Sequence, residues 1–335
     1  MTQFPEFTPS PDYPPLINHS RERRRLAIPA LCVSFTLLFT SLVQILAVYC
    51  ISRFAPWIMD QNWYIWVMST VPMYAVAMPL SLLLCRVLEP VETKPTERKL
   101  GIGAFLGLLA LCFTLSYAGS YLGQIINTVI QSITGEMPAN DLEEVTSASP
   151  LWTNLLFCGI LAPIMEEIFY RKMVIDRLRP LGDLPTVLIS GVVFGLIHGN
   201  FYQFFYAAFI GILFGYIYVY TGKIRYTVAL HMIFNLVGGV YTTEMLKHMD
   251  LERLAVDPLL EITENAAGYI MMALYLLFMF LAFVGAIITI AIAVHRKPIR
   301  LQKREHPLRP ADWIRVGLLN PGVWLLAIVI LLLFL

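Results

Sequence analysis

Residues 266–294 read AAGYIMMALYLLFMFLAFVGAIITIAIAV, and this run contains no Asp, Glu, Lys or Arg. A helix needs about 20 predominantly apolar residues to cross the roughly 30 Å of hydrocarbon in a bilayer. In lipid the backbone polar groups must be satisfied inside the protein, which a helix does within one segment. The run therefore predicts a transmembrane helix, and this prediction decides the fold class.

Comparable apolar runs recur along the chain. Hydrophobic residues make up 58% of the sequence and charged residues 14%, whereas ordinary soluble domains contain roughly 25% charged residues. The prediction is an all-α, polytopic helical membrane protein with about eight to nine transmembrane helices. The predicted spans are residues 27–51, 63–85, 101–131, 151–175, 185–201, 203–221, 226–246, 266–294 and 314–335.

The distribution of Lys and Arg predicts the orientation, because short cytoplasmic loops retain positive charge. With a cytoplasmic N-terminus, only Arg53, Lys247 and Arg253 of the 24 Lys and Arg residues lie outside, so the other 21 lie inside. The net charge of +1 is summed over two membrane faces that differ in charge. It predicts no nucleic-acid partner, and the bilayer itself is the predicted environment.

Ionisable residues inside apolar runs divide the chain into parts. Charge at membrane depth is costly and tends to mark function, and it is concentrated between residues 151 and 246. We predict a disordered cytoplasmic tail over 1–26, accessory transmembrane helices over 27–150, a catalytic helical core over 151–246, and accessory C-terminal transmembrane helices over 247–335.

Two successive spans of the core carry glycines four residues apart. This spacing lets helices approach closely, although glycine is also simply commoner in membrane helices. The glycines are at 191, 195, 211 and 215.

The first polar cluster lies in Ala162-Pro-Ile-Met-Glu-Glu-Ile-Phe-Tyr-Arg-Lys172. Glu167 and Arg171 are four residues apart, with the acid nearer the N-terminus, which favours an ion pair. Glu166 points about 100° away and has no local cation. It is therefore a candidate general base. The alternative is that Glu166, Glu167 and Arg171 form only a charge cluster at a helix end.

The second cluster pairs Phe194 with His198 on one helix face, and imidazole titrates where a proton shuttle needs it. The alternative is a hydrogen-bonded packing histidine. Asn200 and Gln203 lie in the adjoining turn and are candidates for the same pocket. His198 lies roughly 20 Å along its span, so it meets Glu166 only if that span begins outside the hydrocarbon, tilts, or enters a polar cavity. We expect this cavity to open to the cytoplasm.

The third cluster pairs His231 with Asn235, again four residues apart. An imidazole N–H and an amide N–H aimed at one point would stabilise a developing oxyanion. The alternative is a polar clasp between helices.

The ordered motifs E-E-x-x-x-R, F-x-x-x-H and H-x-x-x-N resemble the CPBP family (CAAX protease and bacteriocin-processing, or abortive-infection) over residues 150–246. The resemblance implies an intramembrane endopeptidase that cleaves a membrane-associated or lipid-modified peptide or protein substrate. It implies that Glu166 and His198 activate a water and that His231 and Asn235 stabilise the tetrahedral intermediate. Glu167 and Arg171 would be supporting residues. Phe194, whose ring can fix the orientation of the His198 imidazole, is a third predicted supporting residue.

Metal use is an open alternative. Glu166, His198 and His231 could supply a three-ligand zinc site with one open position. The sequence contains no H-E-x-x-H and assigns no supporting acid to either histidine. We therefore predict a metal-free site with no cofactor.

Two other functions compete with proteolysis. A non-catalytic membrane scaffold, or a bacteriocin self-immunity protein, would use the same fold without cleaving anything. A proton-coupled transporter would need acids on several helices and an internal repeat, and neither is evident in the sequence. The predicted location is a bacterial cell membrane, with the endoplasmic reticulum as the alternative.

Overall fold

The computed structural model describes residues 17–89, 98–295, 301, 303–304 and 307–335. These residues form helices joined by short connections, and no strand occurs among them. The helices are α1 (His19–Phe54), α2 (Tyr64–Leu88), α3 (Ile102–Thr134), α4 (Asp141–Ala148), α5 (Leu151–Leu181), α6 (Asp183–Leu196), α7 (Phe201–Thr221), α8 (224–247), α9 (Leu251–Val256), α10 (Pro258–Glu264), α11 (Ala266–His295), α12 (Pro310–Leu318) and α13 (Pro321–Leu333).

Six of these helices are long and apolar enough to cross a membrane: α1, α2, α3, α5, α7 and α11. A seventh candidate is the pair α12 and α13, which is bent by 64°. The all-α, polytopic membrane fold is thus confirmed. The count of eight to nine spans stays a prediction, because two predicted spans differ from the rest. The predicted span 185–201 overlaps α6, which has only 14 residues, and residues 226–246 lie in the more polar α8.

The helical structure begins earlier than the sequence predicts. Asn18 caps α1 by accepting a hydrogen bond from the backbone N–H of Arg21 at 3.1 Å. Glu22 is buried and bonded to both Arg25 and Arg304. The predicted disordered tail is therefore wrong for residues 19–26, because their charges have partners in the folded chain. Residues 1–16 of that prediction lie outside the described residues.

Helix α7 lies at the centre of the predicted core and packs between α6 and α3. At Gly191 of α6 an added Cβ would lie 2.6 Å from the backbone nitrogen of Ile212. At Gly119 of α3 it would lie 2.5 Å from the Cα of Tyr206. Glycine therefore lets both neighbours approach α7 backbone to backbone, as the spacing predicts for α6. The contribution of α3 was not predicted.

Candidate active site

A cavity of about 380 Å³ lies among the core helices. All four residues predicted to be catalytic line it, namely Glu166, His198, His231 and Asn235. They come from α5, from the turn after α6, and from α8. The structure therefore brings together side chains that are up to 69 residues apart in the sequence.

The helices around the cavity contain π-helical turns. These turns carry one more residue than an α-turn and occur frequently at functional sites. They place Tyr74, Cys158, Gly238 and Gly239 in the cavity wall. The segments are Val71–Ala77, Asn154–Leu161 and Leu236–Tyr241.

The predicted ion pair between Glu167 and Arg171 is confirmed. The guanidinium donates from Nε to Oε2 at 2.7 Å and from Nη2 to Oε1 at 3.0 Å, and both side chains are fully buried. Arg171 also reaches the Ser190 hydroxyl at 3.5 Å and the Gly211 carbonyl at 3.4 Å. The pair therefore links α5 to α6 and α7 directly behind the cavity.

Glu166 faces the cavity instead. Its Oε1 accepts a hydrogen bond of 2.7 Å from the Tyr74 hydroxyl, and its Oε2 lies 3.8 Å from Nε2 of His231. In the part of the chain that the structure describes, no Lys or Arg pairs with this carboxylate. The two adjacent glutamates therefore differ in their contacts. Glu167 is neutralised by Arg171, and Glu166 is left facing the cavity without a cation from the described residues.

His231 is held by the neutralised glutamate. Its Nδ1 lies 3.3 Å from Oε1 of Glu167, and because a carboxylate only accepts, Nδ1 carries the proton. Its Nε2 then faces Glu166. The sequence alone assigns no supporting acid to either histidine, and the structure places Glu167 beside His231. The supporting acid lies 64 residues away in sequence, so no local spacing reveals it.

His198 lies in the turn that follows α6. Its Nδ1 donates to the Phe194 carbonyl at 2.8 Å, which leaves Nε2 for the cavity. The Phe194 ring packs edge-on against the imidazoles of His198 and His231, with centroids 5.3 and 5.9 Å away. Among the described residues no direct hydrogen bond joins His198 to Glu166. Any cooperation between them requires a molecule bound in the cavity.

Asn235 is oriented by α5. Its amide nitrogen donates to the Cys158 carbonyl at 2.8 Å, so one N–H remains for a ligand. Gln203 lines the cavity as predicted and donates to the Tyr206 hydroxyl at 3.2 Å.

Asn200 does not line the cavity, so the pocket prediction for this residue is wrong. Its side chain caps α7 by accepting from the backbone N–H of Gln203 at 2.9 Å. It also donates to the His198 carbonyl at 2.8 Å. Both contacts hold the turn that carries His198.

The sequence did not single out the other cavity-lining residues. Tyr74 lies in α2, outside the predicted core, and its only signal is a phenol within an apolar span. An aromatic wall extends from the polar groups and is built by α2, α3, α8 and α11. It contains Trp66, Phe113, Tyr117, Phe234 and Tyr275.

The cavity lining reaches Trp66 near the start of α2 and Leu142 of α4, which the predicted orientation places outside. Glu167, Arg171 and Tyr170 of α5 are buried and are not part of the lining. The opening of the cavity to the cytoplasm stays a prediction.

Metal binding has no preformed site in the described residues, where no group of three or more His, Cys, Asp or Glu side chains is arranged to hold an ion. Glu166, His198 and His231, the alternative zinc ligands, share the cavity without forming such a group. The contact between Glu167 and His231 is nevertheless of the kind that supports metal-ligating histidines.

Comparison with known proteins identifies one family. Residues 148–237 match the family model described as type II CAAX prenyl endopeptidase, Rce1-like. The matched segment contains Glu166, His198, His231 and Asn235 and lies almost wholly within the predicted core. No curated protein and no solved structure matches the chain.

Proposed function

We propose that this chain, whose residues 148–237 match the Rce1-like family model and carry the motifs that resemble the CPBP family, is a glutamate-type intramembrane endopeptidase. Its substrate is a membrane-associated or lipid-modified peptide, and it hydrolyses one peptide bond of that substrate. The observation that carries this proposal is the convergence of Glu166, His198, His231 and Asn235 on one cavity.

Glu166 is the general base. Its Oε1 is engaged by Tyr74, so Oε2 is the atom available to accept a proton from a bound water. Oε2 also lies beside Nε2 of His231, which helps to define where that water binds. The water oxygen attacks the peptide carbonyl carbon, and its proton passes to Glu166. When the C–N bond breaks, Glu166 gives that proton to the leaving amine. Nε2 of His198 is a second proton acceptor in the cavity.

Asn235 stabilises the oxyanion of the tetrahedral intermediate with its remaining amide N–H. Neutral His231 carries its proton on Nδ1, so its Nε2 donates to the oxyanion only when the ring is doubly protonated. This refines the role drawn from spacing alone. Asn235 is the donor in every protonation state, and His231 joins it as the imidazolium.

The aromatic wall supports an apolar substrate. Trp66, Phe113 and Tyr275 extend the cavity beyond the polar groups, and aromatic side chains bind apolar surface strongly. A peptide held in or on the bilayer presents such surface next to its scissile bond. We place the protein in a bacterial cell membrane, with the bilayer as its permanent partner.

The test is cleavage by the purified protein in detergent or liposomes. Two peptides of the same sequence, one with an S-prenylated cysteine and one without, are incubated with wild type and with Glu166→Gln, His198→Ala and Asn235→Ala. Glu264→Gln, which alters an exposed carboxylate that is not part of the cavity lining, is the matched control. Mass spectrometry of the products identifies the bond that breaks. Retained activity in a chelator supports the metal-free reaction, and loss restored by zinc supports the alternative.

A single-turnover reaction in H2¹⁸O separates a base from a nucleophile. Direct attack by water places ¹⁸O in the new carboxyl group during the first turnover. A covalent anhydride with Glu166 would deliver the unlabelled oxygen of the side chain instead.

A cell-based assay tests the non-catalytic alternative. If the double variant Glu166→Gln, His198→Ala supports full biological activity in cells, the scaffold or self-immunity role replaces the enzyme.

A further inference from the structure

We propose that Tyr74 is a positioning residue for Glu166, so that the working site extends beyond the family-matched segment into α2. This inference rests on the proposed function, because it concerns how the general base is held. Tyr74 lies outside residues 148–237 and in a helix that was predicted to be accessory.

The contact is close and enclosed. The Tyr74 hydroxyl donates to Oε1 of Glu166 at 2.7 Å, and the side chain of Tyr74 is buried. The phenol has no other hydrogen-bond partner among the described residues. It reaches the cavity from the π-helical turn Val71–Ala77, in which Pro72 is the second residue. A local departure from the α-helix thus coincides with the residue that touches the general base.

The contact fixes which oxygen of Glu166 is available. With Oε1 engaged, rotation of the carboxylate would break a hydrogen bond to a charged acceptor, which is a strong type. Oε2 is therefore held toward His231 and the cavity. Because no Lys or Arg pairs with Glu166 in the described part of the chain, Tyr74 is the side chain that orients it.

A second tyrosine provides a matched comparison. Tyr218 is fully buried and donates to Oδ1 of Asp176 at 2.8 Å, almost the same contact. Neither Tyr218 nor Asp176 lines the cavity. Loss of this hydroxyl measures what a buried tyrosine–carboxylate bond contributes to folding, without any effect on the base.

The experiment compares Tyr74→Phe with Tyr218→Phe, each of which removes one oxygen atom and keeps the ring. We expect Tyr74→Phe to lower kcat about tenfold or more with KM within about twofold, because the base is misplaced in the transition state rather than in binding. Tyr218→Phe keeps the wild-type kcat. Adding Tyr74→Phe to Glu166→Gln produces no further loss, because both changes act through one carboxylate.

Several results would overturn the inference without touching the proposed function. One such result is a Tyr74→Phe variant with the wild-type kcat. Another is a Tyr74→Phe variant in which only KM rises. Equal losses in both tyrosine variants would mean that the effect is structural. If Glu166→Gln remains active, the proposed function itself fails. A cryo-EM map of Tyr74→Phe provides a readout that is independent of activity: Glu166 must leave its wild-type position, and an unmoved carboxylate contradicts the positioning role.

Discussion

Arg171 and Glu167 form a doubly hydrogen-bonded pair with no exposed surface on either side chain. Removing one partner of a buried ion pair leaves an uncompensated charge, which costs about 3–5 kcal/mol. We therefore expect Arg171→Met to lower the free energy of unfolding by about that amount. Unfolding in a mild detergent, followed by circular dichroism, provides the measurement.

The double variant Glu167→Gln, Arg171→Met is the control for this prediction. It removes both charges, so it should be more stable than Arg171→Met alone. If Arg171→Met alone is as stable as wild type, the buried pair does not hold α5 in place.

Residue contacts within one helix could be predicted from the sequence, and contacts between helices could not. The pair Glu167 and Arg171 follows from helical spacing alone. The contacts of Glu166 with Tyr74 and of Glu167 with His231 join residues 92 and 64 positions apart. They depend on how two helices are turned toward each other, and apolar periodicity within a single span does not specify that rotation.

At the scale of elements, the close approach of α6 to α7 depends on Gly191. An added methyl group there would overlap the backbone of Ile212, and overpacking costs about 1–3 kcal/mol. At Gly215 the added Cβ would meet Ile175 and Val187 side chains at an ordinary 3.4 Å. We expect Gly191→Ala to lower the unfolding midpoint and Gly215→Ala to leave it unchanged or raise it. Equal midpoints for the two variants would contradict this packing.

The end of α6 explains why residues 185–201 do not form a full span. Gly199 adopts a φ of +68°, and Asn200 begins the cap of α7. The sequence contains this Gly-Asn signal, but the apolar residues around it favoured a longer helix. The π-helical turns were also not predicted, because a shift in hydrogen-bond register leaves no clear mark in the hydrophobic pattern.

At the scale of the whole molecule, the charge asymmetry predicts a cytoplasmic N-terminus. Glu143 in α4 and Lys303 near the C-terminal helices are both exposed and lie on opposite predicted sides. In a Cys50→Ser background, which removes the exposed native thiol, a membrane-impermeant maleimide should label Glu143→Cys in intact cells. It should label Lys303→Cys only after permeabilisation. The reverse pattern would invert the topology and with it the side toward which the cavity extends.

The fold class could be predicted because a long apolar run that crosses lipid must satisfy its own backbone hydrogen bonds, and a helix does so within one segment. The lining of the cavity could not be predicted in the same way, because it depends on how separate helices pack. Leu142 of α4 and Trp66 of α2 line the cavity although both lie outside the predicted core.

The most direct test of the account is peptide cleavage by wild type and Glu166→Gln, purified side by side and shown to unfold at the same midpoint. The account predicts a defined cleavage product from wild type and a loss of at least about a hundredfold in kcat for the variant, the scale of effect of general base catalysis. Equal rates of product formation by the two folded proteins would contradict it.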